Sequence, residues 1–231
     1  MKKIKTLILD AGGVLVYPLH GNWNIPVKYR ELLGAHAADI PGEKWLEACQ
    51  AEALVVREDV YVENMEAEYA CRLEFLKRIG ARLGWELEHD AYAALAEDFT
   101  YNTGRYVWYA DCAQWLNTWN QEMKTGILSD TMPSFRYVVD HSDYRKCFDA
   151  IVISTEIGTA KPDPRMYSTV CAQLGADPAE CLFVDDRECN LRGAMACGIH
   201  AVQMCRDGLE PWDGPYVRDL AELNNYMEGL N

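Results

Sequence analysis

Short apolar runs alternate with amphipathic stretches over most of the chain. Five runs are typical of buried strands, because they are short, apolar almost throughout and in part rich in Ile and Val. They are residues 4–10 (IKTLILD), 126–129 (GILS), 150–154 (AIVIS), 181–186 (CLFVDD) and 200–204 (HAVQM). Helical spacing occurs over residues 113–122, part of 137–148, 164–174 and 190–197. This alternation predicts an α/β fold with a doubly wound parallel sheet, Rossmann-like in its layout.

The stretch from residue 22 to residue 105 has no apolar run of that kind. It carries helical patterns instead, over residues 27–33, 42–56, 63–83 and 90–99. These patterns include enough apolar residues for a small separate core, namely Trp45, Leu46, Leu54, Leu73, Phe75, Leu76, Ile79 and Leu83. We therefore predict an α/β core from residues 1–21 and 106–231, with an all-helical cap of residues 22–105 inserted after the first strand.

Composition and charge narrow the classes of function. The chain has 231 residues and a formal charge of −14, so its electrostatic field repels nucleic acid and anionic membrane surfaces. There is no run of about eighteen apolar residues and no secretory signal pattern. Nine cysteines form no CxxC pair, which argues against a zinc knuckle or a disulfide framework. We expect reduced thiols and a cytoplasmic protein with no nucleic-acid or membrane partner.

Polar side chains stand where the predicted strands end. Asp10 ends the first strand, Ser129 the second, and Asp185 with Asp186 the fourth. Lys161 comes just beyond the third strand, in GTAKPDP, where the proline that follows restricts it to extended geometry and so helps to aim it inward. Ligands of parallel sheets bind beyond the carboxyl ends of the strands, so these residues should converge.

Three carboxylates at one edge of a sheet need a cation. Like charges at close range raise one another's pKa unless a metal or another cation balances them. An oxygen-rich set suits Mg²⁺, which uses few carboxylates together with water and substrate phosphate. Lys161 and Ser129 would then supply positive charge and a hydrogen bond for a phosphoryl group. Each residue alone could also be an ordinary turn, cap or surface residue, but their joint order favours a site.

In these motifs the chain resembles the haloacid dehalogenase superfamily of hydrolases, most of whose members are phosphatases. Residues 10–14 (DAGGV) match its first motif, a strand ending in Asp, although the family usually has a second Asp at the position of Gly12. Ser129 matches the second motif and Lys161, in AKPDP, the third. FVDD at 183–186 matches the fourth, and Asn190 with the residues after it also resembles the family. The resemblance covers nearly the whole chain.

The resemblance implies a role for the acidic residues. Asp10 would attack phosphorus to form an aspartyl phosphate that water then hydrolyses, and its carboxylate would also bind Mg²⁺. The backbone carbonyl of Gly12 would be a second metal ligand and Asp186 the direct acidic ligand. Asp185 would lie beside it or act through a water. Asn190 would hold these ligands in place.

The resemblance also implies how the phosphoryl group is bound. Ser129 and the backbone amides of Ala11 and Gly12 would donate hydrogen bonds to its oxygens, while Lys161 would neutralise the charge that builds in the transition state. Asp130 stands where many relatives have Asn, and we expect it to begin the following loop. Substrate choice would lie in the cap and in residues 16–26, where Tyr17, Trp23 and Arg57 are candidates to face the pocket.

Gly12 is the departure from the family pattern. Most phosphatases of the family use an Asp there to protonate the leaving oxygen and later to activate water, which is worth about 10²- to 10⁴-fold in rate. An anomeric or acyl phosphate needs less protonation, and water or His20 could substitute for the acid. We therefore predict a Mg²⁺-dependent phosphatase that acts on a small phosphorylated metabolite.

Three alternatives stay open. A 2-haloacid dehalogenase of this superfamily also lacks the second Asp and uses no Mg²⁺, but two further acids opposite Asp10 would be costly without a metal. A phosphonate hydrolase would want a cap lysine, for which Lys77 is the internal candidate. A non-catalytic phosphate-binding module is supported only by Gly12 and opposed by the otherwise intact site residues.

Overall fold

The computed structural model describes residues 3–52 and 61–230. A six-stranded sheet forms its centre. The strands of the described chain are β1 (Thr6–Leu9), β2 (Val16–Pro18), β3 (Tyr106–Trp108), β4 (Lys124–Ser129), β5 (Ala150–Ile153), β6 (Cys181–Asp185), β7 (His200–Met204) and β8 (Tyr216–Val217). The sheet runs in the order β5-β4-β1-β6-β7-β8, and every pairing within it is parallel. The predicted doubly wound α/β fold is therefore confirmed.

Burial explains why these apolar runs are strands. All residues of β1, β5 and β6 are buried, as expected for parallel strands with helices over both faces. Successive side chains point to opposite faces, so Leu7 and Leu9 join one apolar cluster while Ile8 joins the other. Since β1 lies between β4 and β6, the residues that follow these three strands emerge side by side at one edge.

The helices follow the predicted pattern closely. They are α1 (Tyr29–Leu33), α2 (Glu43–Glu52), α3 (Met65–Leu83), α4 (His89–Tyr101), α5 (Cys112–Glu122), α6 (Pro133–Asp140), α7 (Ser154–Ile157), α8 (Pro164–Leu174), α9 (Glu188–Ala196) and α10 (Leu220–Leu230). The helix predicted in part of 137–148 corresponds to the second half of α6, residues 137–140. Helix α6 begins at Pro133, because proline suits the first helical position, where its missing N–H has no partner to lose.

Helices α1 to α4 share an apolar cluster separate from those of the sheet. Of the predicted cap core, four residues are fully buried in this cluster and two are partly buried against it: Trp45, Phe75, Leu76 and Ile79, then Leu73 and Leu83. Leu46 is a correction, since it is 41% exposed: the buried face of α2 follows Trp45, Ala48 and Cys49, and Leu46 lies off that face. Leu54 lies outside the described residues. The cap boundaries at 22 and 105 stay a prediction.

Two short strands that the apolar pattern missed join the cap helices to the sheet. β2 and β3 form an antiparallel ribbon, with Val16 opposite Trp108 and Pro18 opposite Tyr106. The chain thus leaves the core toward α1 and returns after α4 along the same ribbon. The C-terminal residues add β8 to the sheet and pack α10 near α5, where Trp119 Nε1 donates to Asn224 Oδ1 at 3.0 Å.

All nine cysteines are free thiols. In the part of the chain that the structure describes, no helix combines the length and the apolar character that a membrane crossing requires.

Candidate active site

The strand ends bring the predicted acidic residues together. Asp10 follows β1 directly, Asp185 is the last residue of β6, and Asp186 comes next. One carboxylate oxygen from each of the three lies within 4.8 Å of the others. Ser129, the last residue of β4, is buried and lines the same cavity as Asp10. The convergence follows from the sheet order, which sets β1 between the strands that carry the other residues.

Lys161 reaches this cluster from the loop between α7 and α8. Its Nζ lies 2.9 Å from Asp10 Oδ1 and 2.7 Å from Asp185 Oδ2, and it donates to the carbonyl of Leu128 at 3.1 Å. The side chain is only 1% exposed. Burial acts to lower the pKa of Lys161, but the carboxylates of Asp10, Asp185 and Asp130 outweigh it, so that pKa lies above its usual value.

Asp185 is fully engaged within the protein. Its Oδ2 accepts from Lys161 Nζ, its Oδ1 accepts from the backbone N–H of Arg187 at 2.8 Å, and Asn190 Nδ2 donates to both oxygens at 3.1 and 3.0 Å. Asn190 is itself buried, and its carbonyl accepts from the hydroxyl of Tyr167 at 2.7 Å. Asp186, by contrast, is half-buried and lines the cavity. The two neighbouring acids therefore have different surroundings.

Asp130 connects two of the site loops. Its Oδ1 accepts from the backbone N–H of Lys161 at 2.9 Å. Burial raises the pKa of Asp130, while the charge of Lys161 opposes the shift. Asp130 thus fixes the lysine loop against the end of β4, in addition to beginning its own loop.

Position 13 requires glycine, because Asp186 fills the space that a side chain would occupy. Its φ is +71°, and a Cβ built there would lie 2.7 Å from Asp186 Oδ2. Only glycine adopts this left-handed conformation without strain, and only glycine leaves room for the carboxylate. The turn after Asp10 and the position of Asp186 therefore depend on each other.

Gly12 faces the indole of Trp23. A Cβ at residue 12 would lie 3.4 Å from Trp23 Cζ2, in van der Waals contact with that ring. Trp23 and Tyr17 both line the cavity, whereas Arg57 falls outside the described residues. His20 Nε2 lies 2.9 Å from the carbonyl of Val27, which turns its ring toward the backbone.

The cavity has a volume of about 630 Å³ and is lined by both cap and core residues. That volume suits a small metabolite. The cavity-lining residues that were missed from the sequence include Arg72 of α3 and Arg105 of the turn before β3. A signal for Arg72 was present, because it shares the helical phase of the apolar residues Phe75, Leu76 and Ile79. No sequence pattern marked Arg105.

Two carboxylates of the cluster are incompletely balanced. Burial is the main cause that raises the pKa of Asp10 to about 8, with Lys161 opposing it and Asp185 and Asp186 adding to it. Burial also raises the pKa of Asp186 to about 6, with Asp185 adding to it. Oδ1 of Asp10 is buried and has an ion pair but no hydrogen bond within the described residues. An oxygen cluster of this kind fits Mg²⁺.

Gly13→Ala tests the contact with Asp186. We expect a loss of about 1–3 kcal/mol in the free energy of unfolding, because alanine is strained at this φ and its Cβ would press on the carboxylate. Gly21→Ala is the matched control, since Gly21 has a φ of +73° and nothing within 4 Å of its Cβ position. Urea unfolding of both variants measures the difference, and equal losses would contradict the steric contact.

Sequence and structure comparisons agree on the family. The model of the haloacid dehalogenase-like hydrolases matches residues 4–198. The chain is 29% identical to Phosphatase MT3486 of Mycobacterium tuberculosis (strain CDC 1551 / Oshkosh) over 176 residues, which are 74% of this chain and 76% of that protein. It is 25% identical to the (S)-2-haloacid dehalogenase of Pseudomonas putida over 234 residues, 98% of each chain.

The solved structure of the L-2-haloacid dehalogenase from Xanthobacter autotrophicus has the same fold. It superposes with a TM-score of 0.66 at 22% identity and covers 99% of this chain and 100% of its own. The family match over most of the chain, together with this shared fold, shows that the chain belongs to the haloacid dehalogenase-like hydrolase family.

Proposed function

We propose that this hydrolase is a Mg²⁺-dependent phosphatase that acts on a small phosphorylated metabolite. The observation that carries the proposal is the charge of the cluster. Three carboxylates share one edge of the sheet with a single buried ammonium, that of Lys161, so two negative charges are left when all are ionised. A divalent cation balances that excess.

The metal would be held by Asp10, by Asp186 and by the backbone carbonyl of Gly12. Asp185 would contribute indirectly, since its oxygens already accept from Lys161, Asn190 and the backbone of residue 187. When bound, Mg²⁺ supplies a positive charge that screens the repulsion between a carboxylate nucleophile and an anionic phosphate ester.

Asp10 would attack phosphorus and become an aspartyl phosphate, which water would then hydrolyse. Lys161, 2.9 Å from Asp10 Oδ1, is in place to neutralise charge on the phosphoryl oxygens as it develops. Ser129 and the amides of Ala11 and Gly12 would donate hydrogen bonds to the same oxygens. The site would lie under the cap helices. The β2–β3 ribbon and the loop after β2 line the cavity and would limit the access of bulk water.

One observation favours a second candidate, a 2-haloacid dehalogenase. Position 12 has no proton donor, and a halide leaving group needs none. The P. putida relative, which matches nearly the whole chain, is a dehalogenase. We prefer the phosphatase because a metal-free dehalogenase would leave Asp186 ionised at the cavity beside Asp10 and Asp185, and the ammonium of Lys161 alone does not balance three carboxylates. Chloride release from 2-chloropropionate tests this candidate.

The proposal predicts Mg²⁺-stimulated phosphate release from a panel of sugar, nucleotide and acyl phosphates. Asp10→Asn is expected to abolish release because it removes the nucleophile. Asp186→Asn is expected to remove the Mg²⁺ stimulation, and Asp213→Asn, at an exposed acid paired with Arg192, serves as the control. No release from any panel member, or unchanged release in Asp10→Asn, would sink the proposal.

The absence of an acid at position 12 predicts that the rate of phosphate release depends strongly on the leaving group. The quantity to compare is the ratio of kcat/KM for an acyl phosphate to kcat/KM for an alkyl phosphate. Without an acid at this position, that ratio is expected to be at least about 10²-fold larger than in a relative that has the acid. The double variant Gly12→Asp with Trp23→Ala, which makes room for a carboxylate, is expected to reduce the difference. The initial rates across a series of aryl phosphates measure it, and a flat series would speak against an unassisted leaving group.

The raised pKa values of Asp10 and Asp186 predict how Mg²⁺ stabilisation varies with pH. A raised carboxyl pKa stabilises the metal-free fold at low pH, and that contribution is lost as pH rises through about 6 for Asp186 and about 8 for Asp10. Mg²⁺ competes with those protons, so its effect on Tm should be small near pH 5 and large above about pH 8. Thermal unfolding with Mg²⁺ or with a chelator measures this change in Tm. An equal change in Tm at both pH values would refute the prediction, as would a change in Tm that is retained in Asp186→Asn.

A further inference from the structure

The cavity contains a second charged region, built from Arg72 and Arg105. Both arginines are more than nine-tenths buried, with 7% and 6% of their surface exposed, and both line the cavity. Their guanidinium carbons lie 4.2 and 4.8 Å from the centroid of the same ring, that of Phe99. Two positively charged groups therefore pack against the same buried aromatic ring.

The hydrogen bonds of the two guanidinium groups are unequal. Arg72 donates to Glu68 Oε1 from Nε and Nη2, at 3.4 Å each. Glu68 also accepts from the backbone N–H and the hydroxyl of Ser134 at 2.7 and 2.9 Å. Arg105 donates from Nη2 to the hydroxyl of Tyr106, which carries no charge. Its Nε and Nη1 are buried and have no acceptor in the described ranges 3–52 and 61–230.

Charge is unbalanced in the same place. Glu68 is the one acid that contacts this pair of arginines among the described residues. Asp98, the nearby buried acid of α4, is engaged elsewhere, since it accepts from the backbone N–H of Lys28 and from Asn102 Nδ2. Burial lowers the pKa of Arg72, and the charge of Arg105 lowers it further. Within residues 3–52 and 61–230, one positive charge and two guanidinium donors thus lack a counterpart, which is costly where water is excluded.

This region lies next to the proposed phosphoryl site through aromatic contacts. The indole of Trp23 faces Gly12, and its ring centroid lies 5.6 Å from that of Tyr106. The Tyr106 ring in turn lies 4.5 Å from the guanidinium carbon of Arg105. A ligand that begins at Asp10 and extends along these rings would end at the arginines. The cavity volume of about 630 Å³ leaves room for more than a phosphoryl group.

We infer that Arg105, supported by Arg72, binds a second anionic group of the substrate, so that the substrate class is a phosphate ester or anhydride that also carries a carboxylate or a second phosphate. Either group accepts strong hydrogen bonds from a guanidinium. The inference deepens the proposed phosphatase function and rests on it for the group that is transferred. It also explains how a chain with a formal charge of −14 holds a doubly anionic substrate.

The test compares substrates that differ only in the second group. The probes are 3- and 4-carboxyphenyl phosphate, the matching carbamoylphenyl phosphates, which are uncharged at that position, and the matching phosphonophenyl phosphates. We expect kcat/KM for a charged probe to exceed that for its carbamoyl partner by about 10- to 100-fold. A preference for carboxyphenyl probes identifies a carboxylate as the natural group, and a preference for phosphonophenyl probes identifies a second phosphate.

Variants assign the preference to Arg105. Arg105→Gln is expected to remove it, and Arg105→Lys, which keeps the charge with fewer donors, to reduce it about tenfold. Arg78→Gln is the control on the exposed surface of α3, where Arg78 pairs with Glu74, and is expected to retain the full preference. Circular dichroism establishes that each variant is folded. An unchanged preference in folded Arg105→Lys would overturn the inference even if Arg105→Gln fails to fold.

A binding measurement separates this inference from the proposed function. Calorimetric titration of the carboxyphenyl and carbamoylphenyl phosphates into Asp10→Asn needs no turnover. If no probe releases phosphate but the charged probe binds at least tenfold more tightly, and Arg105→Lys weakens that binding, the phosphatase proposal fails and the anion site stands. If phosphate is released with no preference for either charged probe, the anion site is wrong and the phosphatase proposal stands.

Discussion

The buried ammonium of Lys161 is the interaction on which the site depends. One side chain contacts the ends of three adjacent strands, through Asp10 after β1, Asp185 of β6 and the carbonyl of Leu128 in β4. Removing it would leave two buried carboxylates uncompensated, and the loss of one partner of a buried ion pair is strongly destabilising. The same lysine therefore organises the sheet edge and sets the charge that any ligand meets there.

Asp185 and Asp186 are neighbours in the sequence but lie in different surroundings. Successive residues at a strand end point in different directions, so Asp185 faces the protein interior and Asp186 faces the cavity. The oxygens of Asp185 accept hydrogen bonds from Lys161 and Asn190, and the bond from Lys161 holds the ammonium in place. Asp186 keeps a half-buried position beside Gly13, where a side chain at residue 13 would collide with it. A pair of identical residues thus provides one internal counterion and one carboxylate at the cavity, which the proposed function assigns to Mg²⁺.

Much of this arrangement could be predicted from the sequence, because a parallel sheet sends the carboxyl ends of its strands to one edge. Short apolar runs that end in Asp10, Ser129 or Asp185 were therefore sufficient to predict neighbours. The surroundings of Gly12 could not be predicted, since the contact with Trp23 depends on the path of a loop. Arg105 was missed for a similar reason: its burial results from packing between cap and core, which leaves no periodic pattern in the chain.

That packing ties the arginine region to the core. Glu68 of α3 is fully buried and accepts two hydrogen bonds from Ser134 of α6, so any movement of α3 away from the sheet must break both bonds. Because Arg72 lies one helical turn beyond Glu68, the same bonds fix its position over Phe99. The Arg72 guanidinium is consequently ordered before any ligand arrives, so its side chain has little conformational entropy left to lose when the inferred second anionic group binds at Arg105.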